Sequence, residues 1–308
     1  MIDFGSADVI CRMRHRNGPF VSSFDSIPES CRVCGSDRAR PKHAFSATNL
    51  YRCRACGFWF CHPVVSTESP SSGPSAIMTD EGYSDMLLQT TPAQAIRYAT
   101  IARRRYQSYC QLLGRSAFSM LEIGCGPGEL GAEFTKLGVN YHGMNIDARI
   151  VETGQRRLGD RIKQRDFLKM EIDRRYDMIC FHQVLEHITE PRLFAKRVCE
   201  CSMPGGGIHG DVPNVTGLSA WLHQIIPLDS RRSGAIILPH HQFAHEPRTI
   251  QHLFGQTFRL KTFDVQINDP TWGQVNELGI AMRAYSAVSG VLNAGTNLAF
   301  IGKRLEFQ

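Results

Sequence analysis

The sequence predicts an α/β fold in which a mostly parallel, doubly wound sheet follows a small cysteine module, with a helical insertion over the ligand-binding edge of the sheet. Three observations carry that expectation. Short apolar segments alternate with amphipathic ones from about residue 117 onward, two C-x-x-C pairs stand ahead of them, and a glycine-rich turn follows the first apolar strand.

A chain of 308 residues can bury one large core and a smaller unit besides. With 42% apolar and 21% charged residues, the composition excludes a disordered tail protein and a coiled coil. The first twenty residues carry Asp3, Arg12, Arg14 and Arg16 without an apolar run fit for a signal peptide or membrane span. No membrane partner and a cytoplasmic address are therefore expected. The net charge of +6 comes from scattered groups such as Arg103 to Arg105, Arg156 with Arg157, Arg174 with Arg175, and Arg231 with Arg232. None forms a long or aromatic-interleaved run, so these read as solvated surface, and nucleic acid is not the expected partner.

Residues 1–27 have no clear period and read as an N-terminal arm. Residues 28–65 form the cysteine module. Cys31 and Cys34 make one pair and Cys53 and Cys56 the other, with eighteen residues between them. Two such knuckles supply four thiolates for a tetrahedral Zn²⁺, and because no coordination position is left for water, the metal is expected to be structural. Gly35 and Gly57 each follow the second cysteine of a pair, where the knuckle needs positive φ. The competing reading is free or redox-active thiols. Eleven cysteines, an odd number, argue against a disulfide framework.

Residues 66–116 read as a linker, STESPSSGPS, and a helical connector whose second helix starts at Pro92. The α/β domain spans 117–308. Its strands are expected near 119–123, 141–145, 162–165, 177–181 and 207–212, and its helices near 129–137, 148–158 and 191–200. An insertion at about 214–246 is expected to be helical, followed by a helix near 247–254 and strands near 258–267 and 297–302. Ligands of such sheets bind at the carboxyl ends of the strands.

At the end of the first strand, FSMLEIGCGPG places Glu122 ahead of Gly124, Gly126 and Gly128. Glycines let a ligand approach the backbone, but Glu129 stands where a dinucleotide fingerprint needs its third glycine. The run resembles the first motif of the class I S-adenosylmethionine-dependent methyltransferases, a Rossmann-like family, and the resemblance continues for roughly 100 residues. It implies S-adenosyl-L-methionine as cofactor, with the glycine turn on its methionine moiety and Glu122 holding the amino-acid end. Asn145 falls where the family has an acid gripping both ribose hydroxyls; an amide lacks that charge. Asp147 is expected to cap the next helix, the alternative being a ribose contact. The resemblance gives Asp166 to the adenine amine and Phe167 to the ring's face. Their competing reading is a loop acid and a core aromatic.

HQVLEHITEP, from His182 to Pro191, and PGGGIHGDVPN, from Pro204 to Asn214, resemble the family's next segments. His182, at a strand end, is read as a general base or a cofactor- and substrate-side contact, against a satisfied structural histidine. Glu186 and His187 resemble part of an E-x-x-E-H cluster associated with a divalent metal in some ubiquinone-pathway O-methyltransferases. Gln183 replaces its first acid, so packing or an internal hydrogen bond is the preferred role for His187. In PHHQFAHEP, which holds His240, His241 and His245, the family resemblance implies a substrate contact at His241 or His240.

A cysteine module before such a domain also resembles sugar methyltransferases of antibiotic and polysaccharide pathways, although the sequence ends too early for their further C-terminal domain. The expected function is methylation of a small-molecule acceptor: a metabolite, sugar or natural-product intermediate. The alternatives are an RNA methyltransferase, against which HQVL stands in place of an N/D-P-P-Y/F motif, and a non-catalytic binding protein, for which Asn145 speaks.

Overall fold

The computed structural model describes residues 28–45, 48–65, 92–225, 232–238, 241–265 and 295–306. The arm at 1–27, the linker and first connector helix at 66–91, and His240 lie outside these residues.

The helix that starts at Pro92 is α1, Pro92–Leu113. After it come β4 (Ser119–Ile123), α2 (Glu129–Lys136), β5 (Asn140–Asn145), α3 (Ala148–Leu158), β6 (Ile162–Gln164), β7 (Tyr176–His182), α4 (Pro191–Cys201) and β8 (Ser202–Pro213). The last elements of the sheet layer are α6 (Pro247–Phe254), β12 (Phe258–Val265) and β13 (Asn297–Arg304). Seven strands form one sheet in the order β12-β13-β8-β7-β4-β5-β6. β6, β5, β4, β7 and β8 run parallel, whereas β13 pairs antiparallel with both β8 and β12. This is the expected doubly wound Rossmann-like sheet. Its strand order reverses at β4, whose neighbours are β5 and β7, and that crevice is where such sheets take their ligands.

The two-residue side-chain period explains why both faces are covered. In β7, Ile179 and Phe181 join Phe194, Val198, Ile250 and Phe254 on the face of α4 and α6. Met178 and Cys180 point the other way, into a core with Tyr109 of α1, Phe134 of α2 and Val151 of α3. His182, the next residue in that alternation, emerges at the strand's carboxyl end on the α1 side, where it meets Arg105.

In the insertion the expected helix is present as α5 (Leu218–Ile225), and the described residues after it add what the pattern did not show: a two-stranded ribbon of β9 (Arg232–Ser233) and β10 (Ile236–Ile237), and β11 (Phe243–Ala244). β11 does not stay with the large sheet. It extends the cysteine module's strands β1 (Ala39–Ala44), β2 (Asn49–Cys53) and β3 (Trp59–His62) into a four-stranded sheet, pairing Phe243 with Phe60 and Ala244 with Trp59. Among the described residues, no helix is long and apolar enough to cross a membrane.

Candidate active site

In the cysteine module the knuckle turns close through Gly35 N–H to Cys31 O at 2.8 Å and Gly57 N–H to Cys53 O at 3.0 Å, with both glycines at positive φ. The four sulfurs lie within 4.8 Å of one another. Cys31 Sγ is 3.6 Å from Cys56 Sγ, and Cys34 Sγ is 3.6 Å from Cys53 Sγ. A tetrahedral zinc with bonds of about 2.3 Å spaces its sulfurs by roughly 3.8 Å, so the cage fits such an ion.

At the end of β4, Gly124, Gly126 and Gly128 have φ of 71°, 56° and 78°. A Cβ at Gly124 would come within 2.6 Å of Val184 Cγ2, whereas one at Gly126 would meet nothing within 4 Å. The turn is closed on its protein side at Gly124 and bare at Gly126, as a backbone surface for a ligand must be. Glu122 is 5% exposed and accepts the Tyr141 hydroxyl at 2.6 Å. Burial raises its carboxyl to about 7, more than the Tyr141 bond and the charge of Arg105 lower it. A buried acid in this state is suited to an ammonium partner.

At the end of β5, Asn145 is buried and its Oδ1 accepts the Asp147 amide at 3.0 Å. Asp147 is the N-cap of α3, accepting from the amides of Arg149 at 2.8 Å and Ile150 at 3.3 Å. Asp166 follows β6 and accepts the Leu168 amide at 2.9 Å while pairing with Lys169. Phe167 packs edge-on against Phe194 at 5.2 Å, inside the core of that face, with the Arg197 guanidinium over its ring. Its ring is buried in that core.

His182 sits in a buried chain of polar groups. Arg105 Nη1 lies 2.7 Å from His182 Nε2, and His182 Nδ1 makes a short contact with Asp211 Oδ2. Since a guanidinium only donates, Nε2 accepts and the proton stands on Nδ1, facing Asp211. Gln183, at φ 54°, donates Nε2–H to Asp211 Oδ1 at 2.6 Å. Behind it the His209 ring stands 4.9 Å from that of His182, and Tyr109 OH lies 2.6 Å from His209 Nδ1. Burial first, and Arg105 second, hold His182 well below the usual histidine range, while burial raises Asp211 to about 7. Arg105, Tyr109, His209 and Asp211 are members that sequence reasoning missed. Arg105 lies in the run Arg103 to Arg105 read as surface, and its only sequence signal is helical phase, with Ala102 and Tyr109 both buried on the same helix.

The cap histidines form a second group, apart from this chain. The His241 and His187 rings meet at 4.9 Å beside Glu186, and one ligand atom from each of the three lies within 4.8 Å of the others. Glu186 is fully buried and neither of its oxygens has a side-chain partner among the described residues; burial pushes its carboxyl well up. His245 is buried against Phe58 of the cysteine module at 5.2 Å and reaches Leu185 O at 3.4 Å.

Residues 121–208 match the family model of a methyltransferase domain. The ubiquinone biosynthesis O-methyltransferase of Rhodopseudomonas palustris strain BisB18 is 30% identical over 96 residues, 30% of this chain and 38% of that one. Its counterpart from strain TIE-1 is 34% identical over 94 residues, 28% of this chain and 36% of that one. The chain thus spans under two fifths of the length of these curated relatives. Among solved structures, the plantazolicin methyltransferase in complex with SAH is similar with a TM-score of 0.51 and 12% identity, over 75% of this chain and 94% of that one. At that identity the likeness is one of fold.

Proposed function

We propose that the chain is an S-adenosyl-L-methionine-dependent methyltransferase acting on a small metabolite, sugar or natural-product intermediate, with a structural Zn²⁺ on Cys31, Cys34, Cys53 and Cys56. The observation that carries this reading is the juxtaposition of a buried acid, Glu122, which has no ion pair among the described residues, with a glycine turn whose backbone is open at Gly126, both at the carboxyl edge of the strand where the sheet order reverses. The methyltransferase-domain match over 121–208 supports the same reading, and the small-molecule acceptor class follows the names of the relatives and of the structural neighbour.

In this reading Glu122 takes the cofactor's ammonium, and Gly124, Gly126 and Gly128 give it a backbone surface. Asn145 contacts the ribose through its amide, since Asp147 is already engaged as a helix cap. Asp166 meets the adenine amine, with Phe167 behind it supporting the loop from the core. When bound, the cofactor supplies an electrophilic methyl group on a sulfonium, so what remains for the protein is to orient the acceptor in line and receive its proton. His182 faces that end of the cleft, and His241, on the cap side, contacts the acceptor.

Titration calorimetry with S-adenosylmethionine and its demethylated product tests this. Binding of both at one site per chain is expected, weakened about tenfold or more by Glu122→Ala. A clear loss of affinity in Asn145→Asp would show that the amide itself is required. A chain that binds neither compound is not this enzyme.

A further inference from the structure

The lone pair through which His182 could accept a proton is already taken. Arg105 Nη1 occupies Nε2 at 2.7 Å, and Arg105 is itself only 7% exposed. Among the described residues, Arg105 of α1 and Asp211 and His209 of β8 meet the imidazole, and Gln183, Tyr109 and Cys180 are linked to it through Asp211 and His209, with Glu122 of β4 paired to Cys180. The positive charge of Arg105 acts on His182, Asp211 and Glu122 alike. Glu122 of β4 pairs with Cys180 of β7, two residues before His182 on the same face, so the candidate base bonded to this guanidinium and the acid read as the ammonium's partner stand on adjacent strand ends.

An amino acid carries its carboxylate one carbon from its ammonium. An ammonium held on Glu122 brings that carboxylate into the same corner of the cleft. A guanidinium binds a carboxylate through two parallel, charge-assisted bonds, each roughly twice as strong as a bond between neutral groups. A neutral imidazole nitrogen offers only one acceptor and no charge.

We propose that Arg105 is a cofactor-operated cover on His182: it blocks Nε2 in the free protein, and transfers to the cofactor's carboxylate when the cofactor binds, leaving Nε2 open to the acceptor's proton. The inference rests on the methyltransferase reading above. With Nε2 open, the acceptor's X–H bond breaks and its proton goes to Nε2. The electron pair of X forms the bond to the methyl carbon, whose bond to sulfur breaks with its pair left on a neutral thioether. The positive charge moves from sulfur to the imidazole, where Asp211, held by Gln183, faces Nδ1–H. Asp211 acts through His182 and is a positioning residue. The arrangement prevents proton removal from the acceptor before the methyl donor is in place.

Histidine ¹⁵N and ¹H resonances of the full chain, assigned for His182 with His182→Gln, test the proposal without turnover. Saturation with S-adenosylhomocysteine, which has the carboxylate and no methyl, is expected to shift the Nε2 resonance and to raise the pKa of His182 by at least about one unit, as removal of an adjacent cation does. Methylthioadenosine, which lacks the amino-acid end, should leave His182 unchanged. In Arg105→Met the pKa should already be raised in the free protein, with no further change on adding S-adenosylhomocysteine.

If calorimetry shows S-adenosylhomocysteine bound while His182 of the wild-type protein keeps its resonance and pKa, the cover is wrong and the methyltransferase reading stands. An equal response to methylthioadenosine would overturn it too. If S-adenosylhomocysteine does not bind, it is the methyltransferase reading that fails.

Discussion

A single carboxyl, Glu122, shows how the site is built against the stability of the fold. Its neighbour Tyr141 is fixed by two glycines: a Cβ at Gly131 would lie 2.2 Å from the ring, and one at Gly143 would lie 2.8 Å from the hydroxyl. The ring can therefore present its O–H to Glu122 and do little else. That bond does not offset burial, and the folded carboxyl stands at about 7, above its ordinary 4.5. The folded state thus binds the proton more tightly than the unfolded state does. The resulting stability is fully present below about pH 4.5 and is lost as pH rises through about 7. In Glu122→Gln, which still accepts from Tyr141, the free protein should be up to about 3 kcal/mol more stable than wild type at pH 8, with little difference at pH 4. Urea unfolding at the two pH values measures this; equal stability of the two proteins at pH 8 would remove the case for a strained acid. The same variant should lose cofactor affinity, the trade expected where a charge is kept buried for a ligand.

At the scale of elements, what could be read from the sequence was local. The cysteine spacing, the strand and turn at 119–128 and the cap at Asp147 are each set by residues a few positions apart, and all appear where the pattern places them. β13 and β11 were not legible in this way. The pattern yields a strand near 297–302 but carries nothing that seats it between β8 and β12. PHHQFAHEP shows its histidines, whereas the consequence of Phe243 and Ala244 depends on an edge strand some 180 residues earlier.

The carboxylate beside β11 is what fastens it. Glu246 accepts from Arg52 at 2.6 Å, from Trp59 Nε1 at 2.9 Å and from Arg248 at 2.8 Å, while closing the capping box of α6 with Thr249. Burial would raise its pKa, but these hydrogen bonds and the Arg52 charge outweigh burial and hold it below the usual range. Such a group stabilises the fold above the ordinary carboxyl range, and that contribution is lost as pH falls through the folded value. Glu246→Ala should cost about 3 kcal/mol near pH 7, by analogy with removing one partner of a buried ion pair, and the deficit should shrink as pH falls below the ordinary carboxyl range. Chemical denaturation across that pH range checks both the size and the sign.

Over the whole molecule, these contacts fasten the cysteine module to the segment that carries His241 and His245. Cys61 N–H donates to Gln242 O at 3.0 Å, the Gln242 amide exchanges two bonds with the Val65 backbone, and Thr249 donates to Cys56 O at 2.9 Å. His241 is held by paired backbone bonds to Ile237 just before this strand, and His245 just after it packs on Phe58. The module's aromatic cluster around the cysteines, Tyr51, Phe58 and Phe60, is small among the described residues, and the free energy of binding the proposed zinc would then be folding free energy. Removing the metal with a chelator should therefore release β1 to β3, and with them β11 and the cap residues that face His187, while the parallel strands keep their own core on both faces. Hydrogen exchange should show protection lost at 49–62 and 243–246 and retained at 176–182. Cofactor binding, which depends on the retained strands, should survive within about twofold, and acceptor binding should not. Loss of both together would mean that the module supports the whole sheet, and loss of neither that it is an appendage.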